Sequence, residues 1–227
     1  MWDEFGLIVG AYILGSFPFM YLLGRVHGVD LRQYPDMHIA LWQKVNRLEA
    51  FFGTFLDFGK GVAAVLIARA LDFSPGWVAF AGVAAVVGQM WPVFMKFKGE
   101  KGNSIGLAMS GALATMAMFI SLIPIALGFF IRTIPRLMRN DQPMKERLRL
   151  GGPPSLSLPL GMAAGFAVMP LAAWGTGQPS AVIIAFVCLF LLLMIRRVTD
   201  DLGEDLQQST GKRSAFLCRL LFDRSEI

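Results

Sequence analysis

The chain has 227 residues, 55% apolar and 16% charged, with a formal net charge of +5 and a mean hydropathy of +0.56. That balance excludes an ordinary soluble domain, and no nucleic-acid-binding motif is present, so no DNA or RNA partner is expected. All but two of the 21 Lys and Arg residues fall in four stretches, residues 25–47, 96–101, 132–149 and 196–224, separated by apolar segments. Excess Lys and Arg marks the cytoplasmic side of a membrane protein. The spacing therefore predicts an all-α integral protein of the cell membrane with these stretches on one side, facing the cytoplasm.

The chain opens Met1-Trp2-Asp3-Glu4, acidic where a cleavable signal is basic, which suits an external N-terminus. A first span is expected over residues 5–23. Gly15-Ser16-Phe17-Pro18 interrupts it, either as a plain proline kink or as a backbone opening beside a site. Residues 25–49 form a polar loop. Spans at 50–71 and 77–95 are joined by a short turn holding Pro75 and Gly76. Residues 104–131 are long for one helix and short for two full spans. The basic stretches flanking them share a side only if the chain crosses twice, so two short helices turning near residues 121–124 are expected. Spans at 156–174 and 180–195 follow. The total is seven transmembrane helices, some short or kinked, with the N-terminus outside and the C-terminus in the cytoplasm. Residues 1–200 form one membrane domain. In the tail, 201–227, Phe216, Leu217, Leu220 and Leu221 lie among Lys212, Arg213, Arg219 and Arg224, a spacing that suits an interfacial amphipathic helix. No repeat of the kind found in transporters is visible. Cys188 and Cys218 are not expected to pair, since the tail would face a reducing compartment.

Two features carry candidate chemistry. Asp57 and Lys60 lie inside an apolar span three residues apart, hence on one helical face. A charge within the bilayer costs about 2.5–3.5 kcal/mol on insertion scales and therefore faces protein or water. The pair is read either as a structural ion pair or as the wall of a polar cavity. The second feature is Phe97-Lys98-Gly99-Glu100-Lys101-Gly102-Asn103-Ser104, placed before a helix start. Backbone amides freed by glycine, together with Lys101, suit an anion; a basic membrane-surface turn is the other reading. His27 and His38 are both read as solvated loop residues. With no Cys/His cluster, neither a metal nor another cofactor is expected.

The order of segments resembles the bacterial acyl-phosphate:glycerol-3-phosphate acyltransferases of the PlsY type. The resemblance rests on the run from Gly15 to Arg25, on Gly28-Val29-Asp30-Leu31-Arg32, on Asp57-Phe58-Gly59-Lys60-Gly61, and on the run from Gly88 to Gly102. It implies transfer of an acyl group from acyl phosphate to the 1-hydroxyl of glycerol 3-phosphate, giving lysophosphatidic acid for phospholipid synthesis. By the same resemblance Lys101 and Ser157 are the retained catalytic positions. Gly99, Lys101, Gly102, Lys44, Arg47 and Arg197 are the substrate phosphate clamps.

The chain departs from the family pattern at the polar positions. The stretch matching the family's Gly-Ser-Gly-Asn-Ile-Gly-Ala-Thr-Asn motif runs from Pro35 to Gln43, and only Ile39 agrees. Asp36 stands at the motif's serine, Asn46 at a following arginine, Gln89 at a histidine and Glu100 at a glycine. Near the end of the last span Arg197 and Asp200 replace histidine and asparagine. Three readings stay open: an acyltransferase with a rebuilt anion site; a catalytically inactive or repurposed scaffold that binds lipid or assists a lipid-synthesis enzyme as a protein partner; and a transporter. The first makes phosphate release depend on Lys101.

Overall fold

The computed structural model describes residues 2–34, 36–138, 156–200 and 219–221. Its helices are α1 (Trp2–Ser16), α2 (Phe19–Val26), α3 (Met37–Lys44), α4 (Arg47–Ala70), α5 (Pro75–Met90), α6 (Asn103–Leu113), α7 (Thr115–Leu137), α8 (Ser157–Gly175) and α9 (Ser180–Thr199). Among the described residues six segments are long and apolar enough to cross a membrane, the first being α1 and α2 taken together. They expose large side chains such as Phe51, Phe55, Leu66, Phe129 and Leu191, as expected of helices solvated by lipid.

α5 lies at the centre, against α1, α4, α6 and α9. Its sequence explains this. Ala79, Ala81, Gly82, Ala84, Ala85 and Gly88 are all buried, and small residues let neighbouring backbones approach closely. A Cβ on Gly15 would run into the Ala85 carbonyl, and one on Gly88 into Tyr12 and Ser16. The C-terminal ends of α1 and α5 therefore cross at backbone contact, and Tyr12 locks them by donating its hydroxyl hydrogen to Trp91 O at 2.7 Å.

The break in the first span is real: α1 stops at Ser16 and α2 starts at Phe19. The third span reaches Met95 as expected, but its α-helix stops at Met90. Pro92 cannot continue the helix, and a 3-10 turn, Val93–Met95, follows. A larger correction concerns residues 104–131. The chain turns at Ala114 (φ −149°, ψ 80°), not near residues 121–124, and α7 runs unbroken through Pro124. α6 has only eleven residues, about 16 Å at 1.5 Å per residue. Arg69 donates to Leu113 O at 3.4 Å, capping a helix end that would otherwise lack partners in an apolar setting. α7 tolerates Pro124 because α8 is pressed against it: a Cβ on Gly161 would meet the Pro124 carbonyl, and one on Gly128 the Ser157 carbonyl.

The helix ends sort cleanly. Gly76 at the start of α5 adjoins Ala181 at the start of α9, while Arg196 near the end of α9 reaches Gly99 beyond α5. Arg197 reaches Pro159 at the start of α8. One end of the bundle thus holds residues from the loops at 25–47 and 96–101 and the basic end of α9, parts of three of the four basic stretches; most of the stretch at 132–149 lies outside the described residues. The tail helix expected around residues 216–221 lies outside the described residues except for Arg219–Leu221, which are helical.

Candidate active site

A small pocket opens at that end, walled by the interrupted first span (Gly15 to Tyr21), Met37, Asp57, Lys60, Gln89, Pro92, Met95, Gly99 and Glu100. Its inner wall is the Asp57–Lys60 pair. Both are buried, and Lys60 Nζ lies 2.7 Å from Asp57 Oδ1. The ammonium also donates to Gly15 O at 3.3 Å and to Phe17 O at 3.0 Å. Three hydrogens thus meet three acceptors. The carbonyls freed by the break in the first span are the ones that complete the lysine's shell. The pair is an ion pair and a cavity wall at once, and the Gly-Ser-Phe-Pro interruption is a backbone opening. Ser16 Oγ, at the same wall, is buried without a hydrogen-bond partner.

The loop between α5 and α6 closes the other side. Lys96 and Phe97 both take left-handed conformations (φ 54° and 62°), which turns the chain back over the end of α5. Glu100 N then donates to Gln89 O at 3.1 Å. Only glycine fits at Gly99, where a Cβ would collide with the Gln89 carbonyl and Pro92. Gly102 (φ 78°) starts α6. Arg196 clamps the loop from α9, donating to Gly99 O at 2.7 Å; its guanidinium also pairs with Asp200 at 3.2 Å and lies 5.8 Å from the centre of the Trp91 ring.

Glu100 and Gln89, both departures from the family pattern, meet inside the site. Gln89 Nε2 has three acceptors within reach of its two hydrogens: Glu100 Oε2 at 3.0 Å, Ser104 Oγ at 3.2 Å and Asp57 Oδ2 at 3.4 Å. His38 joins them: Nε2 is 3.2 Å from Glu100 Oε2 and 3.7 Å from Asp57 Oδ2, and Nδ1 is 3.0 Å from Thr54 Oγ1. His38 is thus no solvated loop histidine. Burial works against the charged ring, but the carboxylates of Glu100, Asp57 and Asp36 outweigh it and raise its pKa to about 9. For Glu100, burial favours the neutral acid, and the His38 and Lys60 charges reverse that to a net lowering.

Asp36 and Asn46 have a different task. Asp36 accepts from Ile39 N at 3.0 Å, and Asn46 accepts from Glu49 N at 2.8 Å. They are the N-caps of α3 and α4, a role for which both residue types are strongly preferred. Lys44 and Arg47 sit at this exposed junction against the rings of Tyr34 and Trp42, outside the cavity wall. Arg197 is buried and donates to Pro159 O at 3.0 Å, so it braces α8. Ser157 is the first residue of α8, and Lys101 lies in the loop next to Glu100. Neither belongs to the cavity wall. Sequence spacing missed Thr54 and Arg196, whereas Ser104 closes the glycine-rich run already singled out. The mismatches at residues 38, 89 and 100 were a usable signal, because all three side chains fall in one cluster.

A sequence model described as glycerol-3-phosphate acyltransferase matches residues 5–202. The chain belongs to that family. A glycerol-3-phosphate acyltransferase of Jannaschia sp. (strain CCS1) is 34% identical over 209 residues, covering 90% of this chain and 91% of that protein. Another, from Rubrobacter xylanophilus, is 39% identical over 127 residues, 55% of this chain and 60% of the relative; the chain spans less than two thirds of that protein's length. The fold matches a crystal structure of the integral membrane glycerol 3-phosphate acyltransferase PlsY in its glycerol 3-phosphate form. The TM-score is 0.68 and the identity 24%, with 91% of this chain and 93% of the other covered.

Proposed function

We propose that this protein transfers an acyl group from acyl phosphate to glycerol 3-phosphate at the cytoplasmic face of the cell membrane. Seven helices would bury the site, α6 being the short one, with the N-terminus outside and the C-terminus inside. The observation that carries the reading is the convergence of the interrupted first span, the Asp57–Lys60 pair and the glycine loop on one cavity. These lie in three of the four runs whose sequences resemble the family.

The chemistry asks little of the protein. The acceptor hydroxyl attacks the acyl carbonyl carbon, and the bond from that carbon to the bridging phosphate oxygen breaks. Inorganic phosphate leaves and takes up the hydroxyl proton. Positioning and charge stabilisation are the main contributions open to the site. Ser16 Oγ supplies an uncommitted hydroxyl in the wall. Lys101, next to the wall residue Glu100, is a cation beside the loop amides. In family-derived roles, Gly99 and Gly102 shape the phosphate loop and Ser157 supplies a hydroxyl from α8.

A second reading has its own observation. Glu100 lines the cavity where the family has glycine, and Lys44 and Arg47 stand apart from it. That arrangement suits a non-catalytic relative that binds lipid. Phosphate release from acyl phosphate by the protein in nanodiscs separates the two. Release that requires glycerol 3-phosphate and falls in Lys101→Ala supports acyl transfer. No release from folded protein favours the non-catalytic scaffold.

A further inference from the structure

We propose that His38, Asp57 and Glu100 form a binding site for one divalent first-row transition-metal ion. The three residues come from α3, α4 and the loop before α6, and their ligand atoms all lie within 4.8 Å of one another. One imidazole nitrogen with two carboxylates is a donor set suited to Mn²⁺, Co²⁺ or Zn²⁺.

Two further observations point to a cation. Glu100 Oε1 is buried and makes no hydrogen bond, although its partner oxygen faces His38 and Gln89. A buried carboxylate oxygen without a donor calls for an explanation, and chelation by both oxygens of Glu100 supplies one. The second observation is the tautomer of His38. Thr54 Oγ1 gives its own hydrogen to Ala50 O at 2.8 Å, so it accepts from His38 Nδ1. This leaves the lone pair of a neutral ring on Nε2, aimed at two carboxylates. Facing oxygens at 3.2 and 3.7 Å, that nitrogen needs a positive occupant between: a proton or a metal ion. A donor fixed on the far ring nitrogen is also how metal-ligating histidines are oriented.

Gln89 completes the set. Its amide nitrogen now donates to Asp57 and Glu100. Rotating the amide by half a turn presents the oxygen to the same point and leaves the nitrogen facing away from the carboxylates. Charge favours the ion as well. With His38 neutral, the two carboxylates and Lys60 sum to one negative charge, and a divalent ion reverses the sign. The cavity edge at Glu100 would then attract an anionic group, replacing the role that glycine-loop amides play alone. Metal binding releases the Nε2 proton wherever the ring began as imidazolium.

The site shares Asp57 and Glu100 with the cavity wall, but ion binding is tested without acyl transfer. The full chain in nanodiscs, treated with chelator and dialysed, is titrated with Co²⁺ and followed by visible absorption and calorimetry. One equivalent is expected, with a ligand-field band. His38→Ala and Glu100→Gln should each weaken uptake at least tenfold, and Thr54→Val about tenfold through the ring's orientation. His27→Ala, on the exposed loop beside Glu49, should bind as the parent does. His38→Asn replaces His38→Ala if the latter does not fold. Uptake equal in parent and His38 variants, or no uptake beyond empty nanodiscs, would overturn the proposal and leave the proton as the occupant.

Discussion

Lys60 reaches across the bundle to the carbonyl of Phe17, 43 residues earlier, at 3.0 Å. Arg69 makes the matching contact with Leu113 O. These two are the cations that lie outside the four basic stretches, and each one serves the backbone of a helix that stops short. Charge inside the spans is therefore spent on broken helices.

Removing Lys60 alone leaves Asp57 buried without its nearest cation, facing Gln89 at 3.4 Å and His38 at 3.7 Å. Breaking a buried pair by one partner costs about 3–5 kcal/mol. Lys60→Met should therefore lower the melting temperature in detergent sharply. Asp57→Asn combined with Lys60→Met should lose less than the sum of the two single changes, because the coupling is already gone. Additive losses would show that the pair is not coupled.

The crossing of α1 and α5 gives a paired test. Gly15→Ala pushes a methyl group into the Ala85 backbone, and overpacking of this kind costs about 1–3 kcal/mol. Gly10→Ala, in the same helix with open space around it, should be neutral or stabilising by up to about 1 kcal/mol. Thermal melts of the two variants should move in opposite directions, or only the first should move.

Much of this was legible in the chain itself. Asp57 and Lys60 announce a common face by their spacing, and Pro18 with Gly15 announces a break. Asn46, followed three residues later by Glu49, is a helix-start signal that a comparison with the family motif alone hides. Other features needed the third dimension. Ala114 is neither glycine nor proline, and the turn there depends on Arg69 from another helix. His38 and Glu100 are 62 residues apart, so no local pattern joins them. The end of α7, expected near residue 131 because the basic stretch opens at Arg132, lies at Leu137, the helix continuing through Arg132 and Pro135.

Arg69→Leu should uncap α6. A hydrogen bond from a charged group is worth about 1.5–3 kcal/mol when short, and this one is 3.4 Å, so about 1 kcal/mol is expected. Hydrogen exchange should speed up at Ser110 to Met118 and stay unchanged in α9. Uniform exchange throughout the chain would point to global loosening instead.

Arg196→Ala should release the glycine loop without unfolding the bundle, since its main bond is to the Gly99 carbonyl. If the protein transfers acyl groups, phosphate release should fall at least tenfold, as small displacements of positioning groups do. Arg196→Lys should recover only part, because a single ammonium replaces a planar fork. Release unchanged in Arg196→Ala would remove the loop from the reaction.

The order of segments along the chain also bears on how the protein enters the bilayer. The carbonyls of Gly15 and Phe17 precede Lys60 in synthesis, so α4 meets its acceptors already in place. Gln89, Glu100 and Ser104 emerge later, and Arg196 nearly last. A nascent chain halted after α4 would hold its buried lysine satisfied but would have no cavity. The polar cluster closes only when the loop before α6 folds back, and the loop is clamped only when α9 arrives. Assembly of the site is thereby tied to completion of almost the whole membrane domain.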